Sequence, residues 1–164
     1  MNWGTAGDRS LERQTGKNCE ILLVEDSRGD IRLIREALQE TGGCHVLHVV
    51  NDGVEALGFL HQTGAYASAP RPDLILLDLN LPRKNGREVL REIKSDQRFR
   101  DIPVIVLTIS TSEEDIISAY CLRANCYVFK PVNLDHFFSL LRSIQRFWLP
   151  QYPDRSAGNP GVRP

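Results

Sequence analysis

Four short apolar runs each end in residues able to do chemistry. Glu25 and Asp26 follow Ile21-Leu22-Leu23-Val24, Asp78 follows Leu74-Ile75-Leu76-Leu77, Thr108 follows Val104-Ile105-Val106-Leu107, and Lys130 follows Cys126-Tyr127-Val128-Phe129. Three carboxylates brought together repel one another, and desolvation drives them toward the neutral form unless positive charge sits among them. Oxygen donors of this kind suit Mg²⁺, which keeps several waters and often binds beside a phosphate. Lys130 adds a fixed point charge. A Mg²⁺, a lysine and a hydroxyl around one aspartate would stabilise negative charge on a transferring phosphoryl group. Asp78, after the central run, is then the natural nucleophile, giving an aspartyl phosphate, with Thr108 donating to a phosphoryl oxygen.

Taken singly, Asp26 or Ser27 reads as a helix cap, since Asp and Ser favour that position. Caps do not account for Glu25, Asp26, Asp78, Thr108 and Lys130 together. Flavin or dinucleotide phosphates are disfavoured as ligands. The first loop, Glu25-Asp26-Ser27-Arg28-Gly29-Asp30, is acidic and has neither G-x-G-x-x-G nor G-x-x-x-x-G-K-[ST].

The elements that must position these residues are legible as alternation. Unbroken apolar runs suit strands buried on both faces by helices covering a parallel sheet. Residues 44 to 50 supply a second strand and 126 to 129 a fifth. Segments at about 28 to 41, 53 to 62, 86 to 95, 113 to 122 and 134 to 148 carry helical spacing, with Asn51-Asp52-Gly53 and Asn85-Gly86 marking helix starts. Five βα units predict a doubly wound α/β domain of the flavodoxin-like type. Its five-stranded parallel sheet has order 2-1-3-4-5, five helices and right-handed crossovers. Ligands of such sheets bind at the carboxyl ends of the strands, where the polar residues stand.

The expected domain covers 19 to 149, between an irregular N-terminal arm (1 to 18) and a Pro/Gly-rich tail (150 to 164). At 164 residues a single domain is the default. A net charge of -1, from 20 basic and 21 acidic residues, argues against broad neutralisation of nucleic-acid phosphates. No apolar run reaches the ~20 residues of a membrane span, and no signal peptide is evident, so a cytoplasmic protein is expected. Cys19, Cys44, Cys121 and Cys126 lack metal-site spacing and read as reduced, mostly buried thiols. His45, His48, His61 and His136 form no ligand set. His45 and His48, three apart on a strand, point to opposite faces.

The chain resembles a receiver domain of a two-component response regulator. The marks are Glu25-Asp26, Asp78 followed by Leu79-Asn80-Leu81-Pro82 and Gly86, then Thr108 and Lys130-Pro131. The resemblance implies that Asp78 is the phosphoacceptor, and that Asp26, Asp78 and the backbone carbonyl of Asn80 ligate Mg²⁺ with help from Glu25. It implies a Lys130 contact to the phosphoryl group, a cis bond before Pro131, and a switch pair of Thr108 and Tyr127. In that switch the phosphoryl oxygen draws Thr108 inward and Tyr127 rotates into the vacated space, so that a local charge change biases a two-state surface.

The wording from Pro72 through Pro82, Cys126-Tyr127-Val128-Phe129-Lys130-Pro131, Phe147-Trp148-Leu149 and the long connection from 62 to 72 are similar to small response regulators paired with phytochrome kinases, especially cyanobacterial ones. A sensor histidine kinase partner of phytochrome type is implied. One departure is Ile109, where receivers usually carry a small residue. A branched side chain there would obstruct the water that attacks an aspartyl phosphate, predicting a long-lived phosphoryl state.

The last helical segment has a surplus of apolar surface. Leu134, Phe137, Phe138, Leu140, Leu141, Ile144, Phe147 and Trp148 span roughly 180°, whereas a core stripe needs about 100°. This predicts a homodimer through the fourth helix, fifth strand and fifth helix, against the alternative that the tail covers the patch. The short tails leave output to association with another protein. A phosphohydrolase that also forms an aspartyl phosphate is disfavoured, because its D-x-D general acid is replaced by Asn80. A degenerate interaction module is disfavoured because every expected phosphorylation residue is present.

Overall fold

Side chains alternate across the β1 strand, Cys19–Val24: Ile21 and Leu23 enter one apolar layer, Leu22 and Val24 the other. A computed structural model describes residues 18–40, 44–109, 114, 116, 120–130 and 133–148. The further strands are β2 (His45–Val50), β3 (Leu74–Leu77), β4 (Val104–Thr108) and β5 (Cys126–Phe129). All pair in parallel, in the order β2-β1-β3-β4-β5, as expected of the flavodoxin-like architecture.

The central strands β1, β3 and β4 are buried on both faces, which is why their sequences are continuous aliphatic runs. The edge strands β2 and β5 are only half-buried. The four described helices are α1 (Arg28–Glu40), α2 (Gly53–His61), α3 (Gly86–Ser95) and α4 (Leu134–Trp148). Ile34, Ala37 and Leu38 of α1 and Phe137, Leu141 and Ile144 of α4 cover one face of the sheet. Ala56, Phe59 and Leu60 of α2 and Val89, Leu90 and Ile93 of α3 cover the other. Truncating a fully buried strand residue such as Leu76 or Ile105 to alanine removes contacts in this core, at a cost of ~2–5 kcal/mol.

Two helix starts follow the expected punctuation. Asp52 Oδ1 accepts from the Glu55 N–H at 2.8 Å, and Asn85 and Glu88 form a reciprocal capping box with both bonds at 3.0 Å. The connection from 62 to 72 is ordered by a 3-10 turn, Gly64–Tyr66, whose Tyr66 ring packs 5.6 Å from Phe59.

The structure amends the expectations at two points. Among the described residues there are four α-helices rather than five. The segment expected at about 113 to 122 lies mostly outside them, as do the arm (apart from Asn18), the tail and Pro131. The cysteines are less buried than expected: Cys19 is buried, Cys44 and Cys126 are half-buried, and Cys121 is exposed. Cys121 follows Tyr120 in a helical turn open to solvent, where the apolar pattern does not reach. His45 and His48 do face opposite sides. His45 lines a cleft with Arg35 and Gln39 of α1, whereas the His48 ring packs 5.2 Å from Phe59 of α2.

Candidate functional site

Parallel pairing brings the carboxyl ends of four strands to one rim. The Asp78 N–H donates to the Val24 carbonyl at 3.0 Å, the Glu25 N–H to Val50 at 3.0 Å, and the Lys130 N–H to Thr108 at 2.9 Å. Each residue just past a strand is thereby fixed by its neighbour. Glu25, Asp78 and Thr108 are buried, while Asp26 is exposed.

The Lys130 ammonium sits at the centre of this rim. Its Nζ lies 2.5 Å from Glu25 Oε2, 2.8 Å from Asp30 Oδ2 and 3.1 Å from Asp78 Oδ2. Burial works against its charged form, but hydrogen bonds to Asp30 and Glu25 and the charges of Glu25 and Asp78 outweigh it and hold its pKa above the ordinary lysine value. Lys130 therefore stays an ammonium.

The second oxygens of Glu25 and Asp78 are also engaged. Glu25 Oε1 accepts from the Ser27 N–H at 2.9 Å, and Asp78 Oδ1 accepts from the Asn80 N–H at 3.0 Å. A carboxylate held by fixed donors keeps its orientation without reorganisation.

Oxygens of Glu25, Asp26 and Asp78 all lie within 4.8 Å of one another. Three carboxylates bond one ammonium and a fourth, Asp26, stands beside two of them, which leaves negative charge in surplus. Hard oxygen donors with that surplus fit a divalent cation such as Mg²⁺ or Mn²⁺. Glu25, Asp26 and Asp78 would hold it, and Asn80 lies exposed on the adjoining loop.

The loop carrying Asn80 is constrained by two glycines. A Cβ on Gly86 would meet the Asp78 carbonyl oxygen at 2.2 Å and Leu79 Cα at 2.6 Å, and one on Gly53 would meet the Lys84 carbonyl oxygen at 2.2 Å. The Gly86 N–H closes the loop onto the Leu79 carbonyl at 2.9 Å.

The sequence-derived residues Glu25, Asp26, Asp78, Asn80, Thr108 and Lys130 therefore converge on one rim. Tyr127 of β5 pairs in register with Val106 of β4 and packs 5.3 Å from the Phe129 ring, and burial pushes its hydroxyl pKa up. Pro131, with its expected cis bond, is outside the described residues. Asp30 is the site residue that sequence reasoning passed over. Its only local signal, an acidic residue in the first turn of α1, reads as a complement to the helix dipole.

A family model described as the response regulator receiver domain matches residues 21–142. The chain is 51% identical over 129 residues to the response regulator Rcp1 of Synechocystis, covering 79% of this chain and 88% of that protein. Among solved structures it is similar to the phosphorylated cyanobacterial phytochrome response regulator RcpA, with 50% identity, TM-score 0.78, and coverage of 88% of this chain and all of that one. It is also similar to the Mn²⁺-bound form of Rcp1, with 47% identity, TM-score 0.77, and coverage of 87% and 99%.

Proposed function

The chain belongs to the response regulator receiver domain family, and from that premise we propose that Asp78 accepts a phosphoryl group from a phytochrome-type sensor histidine kinase in the cytoplasm. The observation that carries this reading is Lys130, whose ammonium bonds both Asp78 and Glu25 beside the Glu25, Asp26 and Asp78 oxygens. The kinase class is supported by the likeness to a phytochrome response regulator at 50% identity. No described helix is long and apolar enough to cross a membrane.

An Asp78 carboxylate oxygen attacks phosphorus. The bond from phosphorus to the kinase imidazole nitrogen breaks, its electron pair stays on that nitrogen, and solvent supplies the proton. Lys130 moves one N–H from the carboxylate to a phosphoryl oxygen, and Thr108, buried at the end of β4, donates to another. A Mg²⁺ held by Glu25, Asp26, Asp78 and the Asn80 carbonyl would neutralise charge on the transferring group. Thr108 and Tyr127 then carry the change toward β5 and α4 as the switch pair.

The test is intact mass after incubation with acetyl phosphate, with and without Mg²⁺, for the native chain and Asp78→Asn. One Mg²⁺-dependent phosphoryl addition, absent in the variant, is expected. A native chain that folds, binds Mg²⁺ and gains no phosphoryl group would refute the reading.

The signalling surface is proposed to be a homodimer interface around β5 and α4. Phe147 (73% exposed) and Leu134 (51%) on α4, together with Phe129 and Tyr120, present apolar side chains to solvent. Light scattering on the full chain should give a dimer mass, and Phe147→Asp should give a monomer.

A further inference from the structure

We propose that Asp30 is a positioning residue for Lys130, the group that fixes which way the ammonium points; the inference rests on the reading of Asp78 as phosphoacceptor. A lysine ammonium has three N–H donors on a flexible four-carbon stem. Here three carboxylate oxygens, from Glu25, Asp30 and Asp78, stand within 3.1 Å of Nζ and match that number.

Two of the three partners form no bond to phosphorus. Glu25 is buried and pinned by the Ser27 N–H. Asp30 is carried on the first turn of α1, where its own N–H lies 3.3 Å from Ser27 Oγ. With two N–H bonds committed to these groups, the third is aimed at Asp78, and it passes to a phosphoryl oxygen without a rotational search.

Asp30 acts on the lysine rather than on a cation. The oxygens clustered within 4.8 Å of one another are those of Glu25, Asp26 and Asp78, and Asp30 is outside that set. Its carboxylate, 34% exposed, stands on the solvent side of a Lys130 side chain that is only 7% exposed. Removing it would open Nζ to water and leave one N–H uncommitted, free to double onto Glu25.

Two measurements on the full chain test this. The first is the time course of phosphorylation by acetyl phosphate at saturating Mg²⁺ for the native chain, Asp30→Ala, Asp30→Asn and the control Arg32→Ala. Arg32→Ala breaks the exposed Arg32–Glu36 pair on α1 without touching Lys130. Asp30→Ala should lower the maximal rate by about tenfold with half-saturating donor nearly unchanged, the pattern of lost orientation. Asp30→Asn, which still offers an acceptor oxygen, should fall between.

The second is the ¹H–¹⁵N signal of the Lys130 ammonium, visible in the native chain when its protons are held and lost by exchange in Asp30→Ala. Calorimetric Mg²⁺ affinity should stay within about threefold, because a more distant charge is removed rather than a ligand. A persisting ammonium signal, a maximal rate in Asp30→Ala within twofold of native, or an equal loss in Arg32→Ala overturns the proposal. Failure of the native chain to gain a phosphoryl group would instead overturn the Asp78 reading, and the ammonium signal would still decide the role of Asp30.

Discussion

Arg83 Nη1 stands 3.3 Å from Asp52 Oδ2, an ion pair that ties the loop after β3 to the loop before α2. Arg83 holds a left-handed backbone, φ 65°, and the neighbouring Lys84 carbonyl fills the space that a side chain on Gly53 would need. The loop that follows Asp78 is thus packed against the N-terminus of α2. Asp52→Asn should keep the cap on Glu55 and lose only the charge. In a double-mutant cycle with Arg83→Ala, chemical denaturation should give a coupling of about 0.2–1 kcal/mol, because the arginine end of the pair is open to solvent although Asp52 is buried.

Gly86 admits no side chain without moving Asp78 or Leu79 backbone. Gly86→Ala should cost ~1–3 kcal/mol in denaturant unfolding. Because the atom it displaces is the Asp78 carbonyl, phosphorylation by acetyl phosphate should slow in the folded variant as well. A variant that is destabilised but phosphorylated at the native rate would uncouple the loop from the site.

Ile109 follows the buried Thr108 and is 71% exposed on the same rim. A branched side chain at this position is expected to hinder water from reaching an aspartyl phosphate, so Ile109→Ala should shorten the phosphoryl lifetime by about threefold or more. Intact mass followed over time after donor removal measures it directly. An unchanged lifetime would show that another group controls hydrolysis.

Asp96, just past α3, accepts hydrogen bonds from the Arg98 side chain and the Arg98 N–H, which hold its carboxyl down to about 2 from 3.8. A depressed acid contributes stability that is present above its unfolded pKa and lost as pH falls through the folded value. The melting-temperature gap between the native chain and Asp96→Asn should therefore be constant above about pH 5 and close as the pH falls toward 2. A gap that stays the same at pH 2 would mean the charge on Asp96 does not stabilise the fold.

The strands and most helices were legible because their causes are local. A strand buried on both faces must be apolar throughout, as 74 to 77 are, and a helix start needs an acceptor for its free N–H groups, as Asp52 and Asn85 provide. The site residues were legible because each follows such a run, and parallel strands of one sheet end on the same rim. The reading of the cysteines was weaker, since residue type alone suggested burial whereas Cys121 stands on the exposed side of a helical turn.

What the sequence by itself determined was therefore the sheet and its order, with Glu25, Asp26, Asp78, Thr108 and Lys130 at the ends of its strands. Only the tertiary structure decided how those groups are held: that Asp78 gives one oxygen to the Asn80 N–H and the other to Lys130, and that Asp30 joins Lys130 from a helix 100 residues away in sequence. The physical reason is one of range. Burial pattern and capping act over a few residues and leave a periodic trace, whereas the direction of a lysine N–H depends on carboxylates that meet it only after the sheet has closed the distance.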